Sequence, residues 1–244
     1  LHGFGLYKDH MLPLAEGLTD RYRVIIPDLP AFGENREVAG EGYTLSLQAR
    51  RLHDFVDKLQ LDSFHLLGVS MGGGIAAFYA SEHADRVKSL TLIGALGIDR
   101  GTESVMIAGY RKDNSQDLAI ESREDLQRVF GLAYKHPPDL PEHFLDYIVG
   151  LAANLHDSHT RIFQNLEPEL GVMENRLDQI KAPTLLLWGE ADLIVPVSAA
   201  RVFDQGIGDS KLIVLEDCGH VTYADKPDET REAVNEFLAG MDSR

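Results

Sequence analysis

Ser70 sits in the run Gly68-Val69-Ser70-Met71-Gly72, a spacing in which a serine can serve as a nucleophile. The apolar residues 63–69 ahead of it read as a buried strand, and about Met71 to Glu82 as a helix. A serine between the two lies on a sharp, strained turn with its hydroxyl exposed. Side chains two residues before and after would collide across that turn, so both positions call for glycine. The helix that follows points the positive end of its dipole at the place where negative charge would develop. A glycine-rich turn in any α/β protein is the competing reading, and the strand–turn–helix context weighs against it.

A serine hydroxyl is a poor nucleophile at its free pKa and needs a positioned base. Two later strand ends supply candidates. After the apolar run 183–188 comes Gly189-Glu190-Ala191-Asp192, and after 211–215 comes Asp217-Cys218-Gly219-His220. In the order serine, acid, histidine, His220 would take the Ser70 proton and later return it to the leaving group. Asp192 would hold the other imidazole nitrogen, fix the tautomer and stabilise the imidazolium. Asp99, Glu190 and Asp217 are the rival carboxylates, with Asp99 the most serious because it also follows a strand. Such a base works only when neutral, so the rate is expected to rise with pH through the region near ~6.5.

The attacked carbonyl would become an oxyanion that needs two preorganised donors. One candidate is the backbone N–H of Met71. The other is the backbone N–H of Phe4 in His2-Gly3-Phe4-Gly5, with the Phe4 side chain helping to floor an acyl pocket. His156 and His159 are three apart and could share a helix face, but a third ligand is missing, so no metal is expected there. Cys218 has no base or elbow of its own and reads as structural.

The elements that must position these residues alternate as strands and helices, which implies a mostly parallel sheet covered on both faces. Strands are expected at 22–27, 63–69, 87–93, 183–188 and 211–215. Helices are expected at 44–60, capped by Thr44 or Ser46, and at 71–82, 197–205 and 228–239. Between about 99 and 180 the rhythm changes to polar helical patterns near 103–111, 122–134, 140–155 and 158–166. Residues 1–99 and 179–244 therefore read as the core and 100–178 as a helical cap. Its Phe130, Leu132, Phe144, Tyr147 and Ile148 could line a pocket, although a small core of the cap's own is the more ordinary role for each.

Composition narrows the function classes. The 244 residues carry 39 acidic and 23 basic side chains, a formal charge of −16, which disfavours nucleic-acid or anionic-membrane partners. The single cysteine excludes an intrachain disulfide framework. No apolar stretch reaches the ~20 residues of a membrane helix. No segment has a signal-peptide layout, and a cytoplasmic location is the expectation. The chain opens on Leu1 with the His2-Gly3 motif at once, leaving no room for a preceding strand, so a fragment lacking N-terminal strands is expected.

Taken together, the chain resembles the α/β-hydrolase superfamily over essentially its whole length, and within it the bacterial family V lipases and esterases and the monoacylglycerol lipases. The matching residues are His2-Gly3-Phe4 with Lys8-Asp9, Pro27-Asp28-Leu29-Pro30 with Phe32-Gly33, Gly68 to Gly73, Pro183-Thr184, Trp188 to Asp192, and Cys218-Gly219-His220. The resemblance implies an eight-stranded sheet with the cap after the sixth strand. It also implies hydrolysis of small-molecule acyl esters through an acyl-enzyme, with no cofactor. Without the third strand of that sheet, a gap is expected between 22–27 and 63–69, and the isolated chain is expected to fold poorly. Carbon–carbon bond hydrolases of aromatic degradation, perhydrolases with a similar elbow, and receptors that keep a hydrolase fold remain alternatives. Aspartate-nucleophile relatives do not fit Ser70.

Overall fold

The computed structural model describes residues 1–35, 42–100, 104–113 and 118–242. Residues 36–41 and 243–244 of the expected core, residues 101–103 and 114–117 of the expected cap, and with them residue 103 of its first helical pattern, lie outside the described residues.

Four strands form one parallel sheet in the order β1 (Phe64–Val69), β2 (Val87–Ile93), β3 (Thr184–Gly189) and β4 (Ser210–Leu215). Leu66 pairs with Leu90, Leu92 with Leu186, and Leu186 with Leu212. Near-continuous apolar runs suit strands buried on both faces, and β3 is buried at every residue. Successive side chains point to opposite faces. Leu185 packs with Val234 and Leu238, while Leu186 joins the larger cluster on the other side.

The helices follow from their patterns. After the short α1 (Leu12–Ala15), α2 (Leu45–Lys58) buries Leu45, Ala49, Leu52 and Val56 along one stripe. Thr44 caps it by accepting from the Leu47 N–H at 3.2 Å, which decides between the two expected caps. α3 (Met71–Glu82) is buried almost all round, because it sits between the sheet and α2. Between β2 and β3 come α4 (Val105–Asp113), α5 (Arg123–Ala133), α6 (Glu142–Asn154) and α7 (His156–Leu166). Then α8 (Val197–Gly206) packs on β3 and β4, and the chain closes with α9 (Thr222–Asp225) and α10 (Pro227–Asp242).

One expectation needs correction. Residues 22–27 are not a strand, so among the described residues the sheet holds four of the five strands expected in this chain, and the helical insertion follows β2. The reason is pairing. A strand exists only as part of a ladder, and no strand lies between 22–27 and β1. That space is an apolar cavity of about 520 Å³ lined by 22–27, Leu1 and the Phe64–Leu67 stretch of β1. Leu1 touches one end of it, accepting a hydrogen bond from Val69 N–H at 3.0 Å.

Candidate functional site

All of the predicted site residues converge at the carboxyl ends of the strands, where parallel sheets place their sites. Ser70 follows β1 directly, with φ 54° and ψ −120°. Its amide donates to Ile93 O at 2.8 Å, and its carbonyl accepts from Gly74 and Leu96, each at 3.0 Å. These bonds hold a left-handed backbone that a serine would not adopt freely. The flanking glycines are required by contact. A Cβ on Gly68 would stand 2.2 Å from Gly72 O, as the turn argument expects. A Cβ on Gly72 would stand 2.4 Å from His2 O, so this second glycine makes room for the N-terminal loop rather than for the turn.

Asp192 lies three residues past β3 and His220 five past β4, and both are buried. His220 Nδ1 and Asp192 Oδ2 are 2.7 Å apart. The other carboxylate oxygen, Oδ1, accepts from the Ile194 and Val195 N–H groups at 2.9 and 2.8 Å. Asp192 therefore presents one fixed oxygen to the imidazole. Two of the rival carboxylates are engaged elsewhere, and the third points to solvent. Asp99 accepts both Arg111 Nη groups, Asp217 meets His136 Nε2 at 2.8 Å, and Glu190 is exposed.

The N-terminal loop runs against the serine: a Cβ on Gly3 would be 3.1 Å from Ser70 Cβ and 3.6 Å from Oγ. Phe4, the next residue of that loop, lines the same cavity as Ser70, and Met71 follows Ser70 at the start of α3. Buried His2 anchors the loop, with Nδ1 2.9 Å from Gly3 O and Nε2 accepting from the Leu29 N–H at 2.9 Å. Burial pushes this imidazole down to about 4, so it stays neutral. Asp28 adds a second anchor, accepting from Lys8 N at 2.7 Å, Lys8 Nζ at 2.9 Å and Glu34 N at 3.0 Å. Burial alone would raise its pKa, but these donors outweigh it and hold the carboxyl below its usual range.

Reading the sequence alone misses Gly94. Its φ is +53°, and a Cβ there would stand 2.9 Å from His220 Nδ1 and 3.3 Å from Asp192 Oδ2. The glycine directly after β2 is the only local signal. The sequence also leaves Asp28 without a role, although it lies in a turn.

Ser70, His220, Gly3 and Phe4 share a cavity of about 340 Å³ whose wall includes residues of α5 and α6, the N-terminal loop and, from α7, His156 and His159. Phe130, Phe144, Tyr147 and Ile148 line it, whereas Leu132 packs against the main core. α6 has no buried residue, and its Phe144, Tyr147, Ile148, Leu151 and Ala152 face the cavity. Of the two expected metal-site histidines, His156 meets Glu121 at 3.2 Å and His159 faces the cavity. Among the described residues no group of three or more His, Cys, Asp or Glu is placed to hold a metal ion. Cys218 is buried, and burial pushes its thiol up to about 12, with Asp225 adding to the shift. No helix among the described residues is long and apolar enough to cross a membrane.

This sheet, with a serine elbow after β1, an aspartate after β3 and a histidine after β4, defines a class. The chain belongs to the α/β-hydrolase fold family, whose model matches residues 1–227. It is 30% identical over 257 residues to monoacylglycerol lipase abhd6-A of Xenopus laevis, covering 100% of this chain and 75% of the relative. It is 30% identical over 247 residues to Lipase 1 of Psychrobacter immobilis, covering 100% and 77%. The crystal structure of a membrane phospholipase A, described as a bacterial virulence factor, superposes with a TM-score of 0.94 at 33% identity, covering 100% of this chain and 78% of the other.

Proposed function

We propose that this protein is a serine hydrolase that cleaves carboxylic esters, with short- to medium-chain acyl esters and monoacylglycerols as its substrate class. The observation that carries the reading is the buried 2.7 Å pairing of His220 Nδ1 with Asp192 Oδ2, in the cavity that also holds Ser70. Lipase and monoacylglycerol-lipase relatives that cover the whole chain favour the same class.

In this reading Asp192 fixes the imidazole so that Nε2 receives the Ser70 proton as Oγ attacks the ester carbonyl. The carbonyl π electrons move to oxygen, and the N–H groups of Phe4 and Met71 stabilise the anion. Collapse of the tetrahedral species breaks the bond to the alcohol oxygen, which leaves with the proton from His220. The acyl group is then on Ser70 Oγ. Water gives a proton to His220 and attacks the acyl-enzyme, and the carboxylic acid departs as Oγ recovers its proton. Every step uses the chain's own groups and water. Residues 100–178 act as a cap whose helices receive the acyl chain.

Hydrolysis of p-nitrophenyl esters from acetate to laurate, for wild type beside Ser70→Ala, tests the reading. The expected result is turnover that Ser70→Ala lowers by on the order of 10³-fold or more. A folded wild type inactive on every ester would overturn it, and activity on a vinylogous diketone instead would point to carbon–carbon bond hydrolysis.

A further inference from the structure

His159 is a polar side chain that the ester mechanism does not use. It projects from α7 into the cavity that contains Ser70 and His220. Its ring lies 5.1 Å from that of Phe4 and stacks on Phe32 at 5.6 Å with planes 29° apart. Those contacts put it beside the loop that runs against Ser70. Its Nε2 is buried and has no hydrogen-bond partner in the protein. Burial first, and the neighbouring His156 second, push its pKa down to about 4. The ring is therefore neutral at ordinary pH, with one nitrogen to donate and one to accept.

An unpaired buried nitrogen is costly, and in a substrate cavity it is satisfied by water while the site is empty and by a polar substrate group when it is filled. The chemistry of that partner is constrained. An acyl chain is hydrocarbon and offers no hydrogen bond. The ester oxygens are claimed by the attack and by the backbone donors. Free hydroxyls on the alcohol part are what remains. We propose that His159 is a specificity-determining residue that hydrogen-bonds such a hydroxyl, so that the site selects monoesters of polyols over esters of simple alcohols. This rests on the ester-hydrolase reading above. A neutral imidazole suits the task because it pairs with a hydroxyl in either direction without adding a charge beside the reacting carbonyl.

The test compares two substrates with one acyl chain, 1-monooctanoylglycerol and ethyl octanoate, in wild type, His159→Phe and His159→Gln. Phenylalanine keeps an aromatic ring against Phe4 and Phe32, and a thermal midpoint for each variant checks the fold. The kcat/KM ratio of glyceryl over ethyl ester is expected to fall about tenfold in His159→Phe, the effect of one hydrogen bond to substrate. His159→Gln is expected to recover part of it. A ratio within twofold of wild type in His159→Phe, whatever the absolute rates, would overturn the proposal and leave the ester reading standing. A wild type that hydrolyses neither ester would remove both.

Discussion

Gly94 lies against His220 so closely that a Cβ on Gly94 would stand 2.9 Å from the imidazole Nδ1, the nitrogen that meets Asp192. The end of β2 thus packs against the His220–Asp192 pair carried by β3 and β4. Gly94→Ala adds one methyl group in a backbone with φ +53° and pushes it into that pair. Displacement by a fraction of an ångström is enough to misalign proton transfer. We expect kcat to fall about 10²-fold, with a loss of stability of about 1–2 kcal/mol. Steady-state rates on p-nitrophenyl butyrate beside a urea melt will separate the two effects. Equal rates for variant and wild type would mean that the pair tolerates the shift.

The two strongest carboxylate candidates separate cleanly by substitution. In Asp192→Asn the side chain can still accept from the Ile194 and Val195 N–H groups through its amide oxygen. Its NH₂ then faces His220 Nδ1 and favours the tautomer with the proton on Nε2, the wrong one for a base. The expected fall in kcat is on the order of 10³–10⁴. Asp99→Asn weakens a partly exposed pair with Arg111, worth up to about 1 kcal/mol of stability. Its kcat is expected to stay within about twofold of wild type. The reverse pattern would assign the acid to Asp99.

The site was far more legible than the sheet around it. Ser70, Asp192 and His220 each stand on a local pattern, a strand end followed by a glycine-bearing turn, and local patterns survive in a linear text. The steric need for Gly94 comes instead from His220 and Asp192, each about a hundred or more residues away, and nothing near position 94 announces it. The segment 22–27 shows the opposite failure. Its Val24, Ile25 and Ile26 are apolar and β-branched, as a strand's residues are, but pairing depends on a neighbour that composition cannot supply. The pocket wall was ambiguous for a related reason. Phe144 and Tyr147 look the same whether a helix buries them in a core or offers them to a cavity.

The cavity wall predicts a change in acyl preference. Val129 on α5 lines the space beside Phe130. Val129→Trp adds an indole to a cavity of about 340 Å³ and should shorten the chain it accepts. The acyl length giving the highest kcat/KM in the p-nitrophenyl series is expected to move down by two or more carbons, roughly what a larger ring displaces. Activity on acetate should persist, because Val129 lies on the cap side of the cavity. An unchanged optimum would place the acyl chain elsewhere.

Stability should respond to pH through the buried histidines. His2 falls to about 4 when folded because burial disfavours its cation, whereas an unfolded histidine titrates near ~6.5. Between those values the unfolded chain binds a proton that the folded chain does not. The stabilisation is fully present above ~6.5 and is lost as pH falls towards 4. For His2 alone the loss between pH 7 and pH 5 is about 2 kcal/mol. His159, also lowered to about 4, acts in the same direction. Urea melts at pH 7 and pH 5 for wild type and His2→Asn give the contrast. Carboxylates contribute to both proteins alike, so the difference between the two pH dependences isolates this imidazole. His2→Asn is expected to be less stable at pH 7, since the Gly3 and Leu29 contacts are weakened, yet to lose less on acidification. Identical pH dependences would show that His2 is not the neutral anchor that holds the loop carrying Phe4 against Ser70.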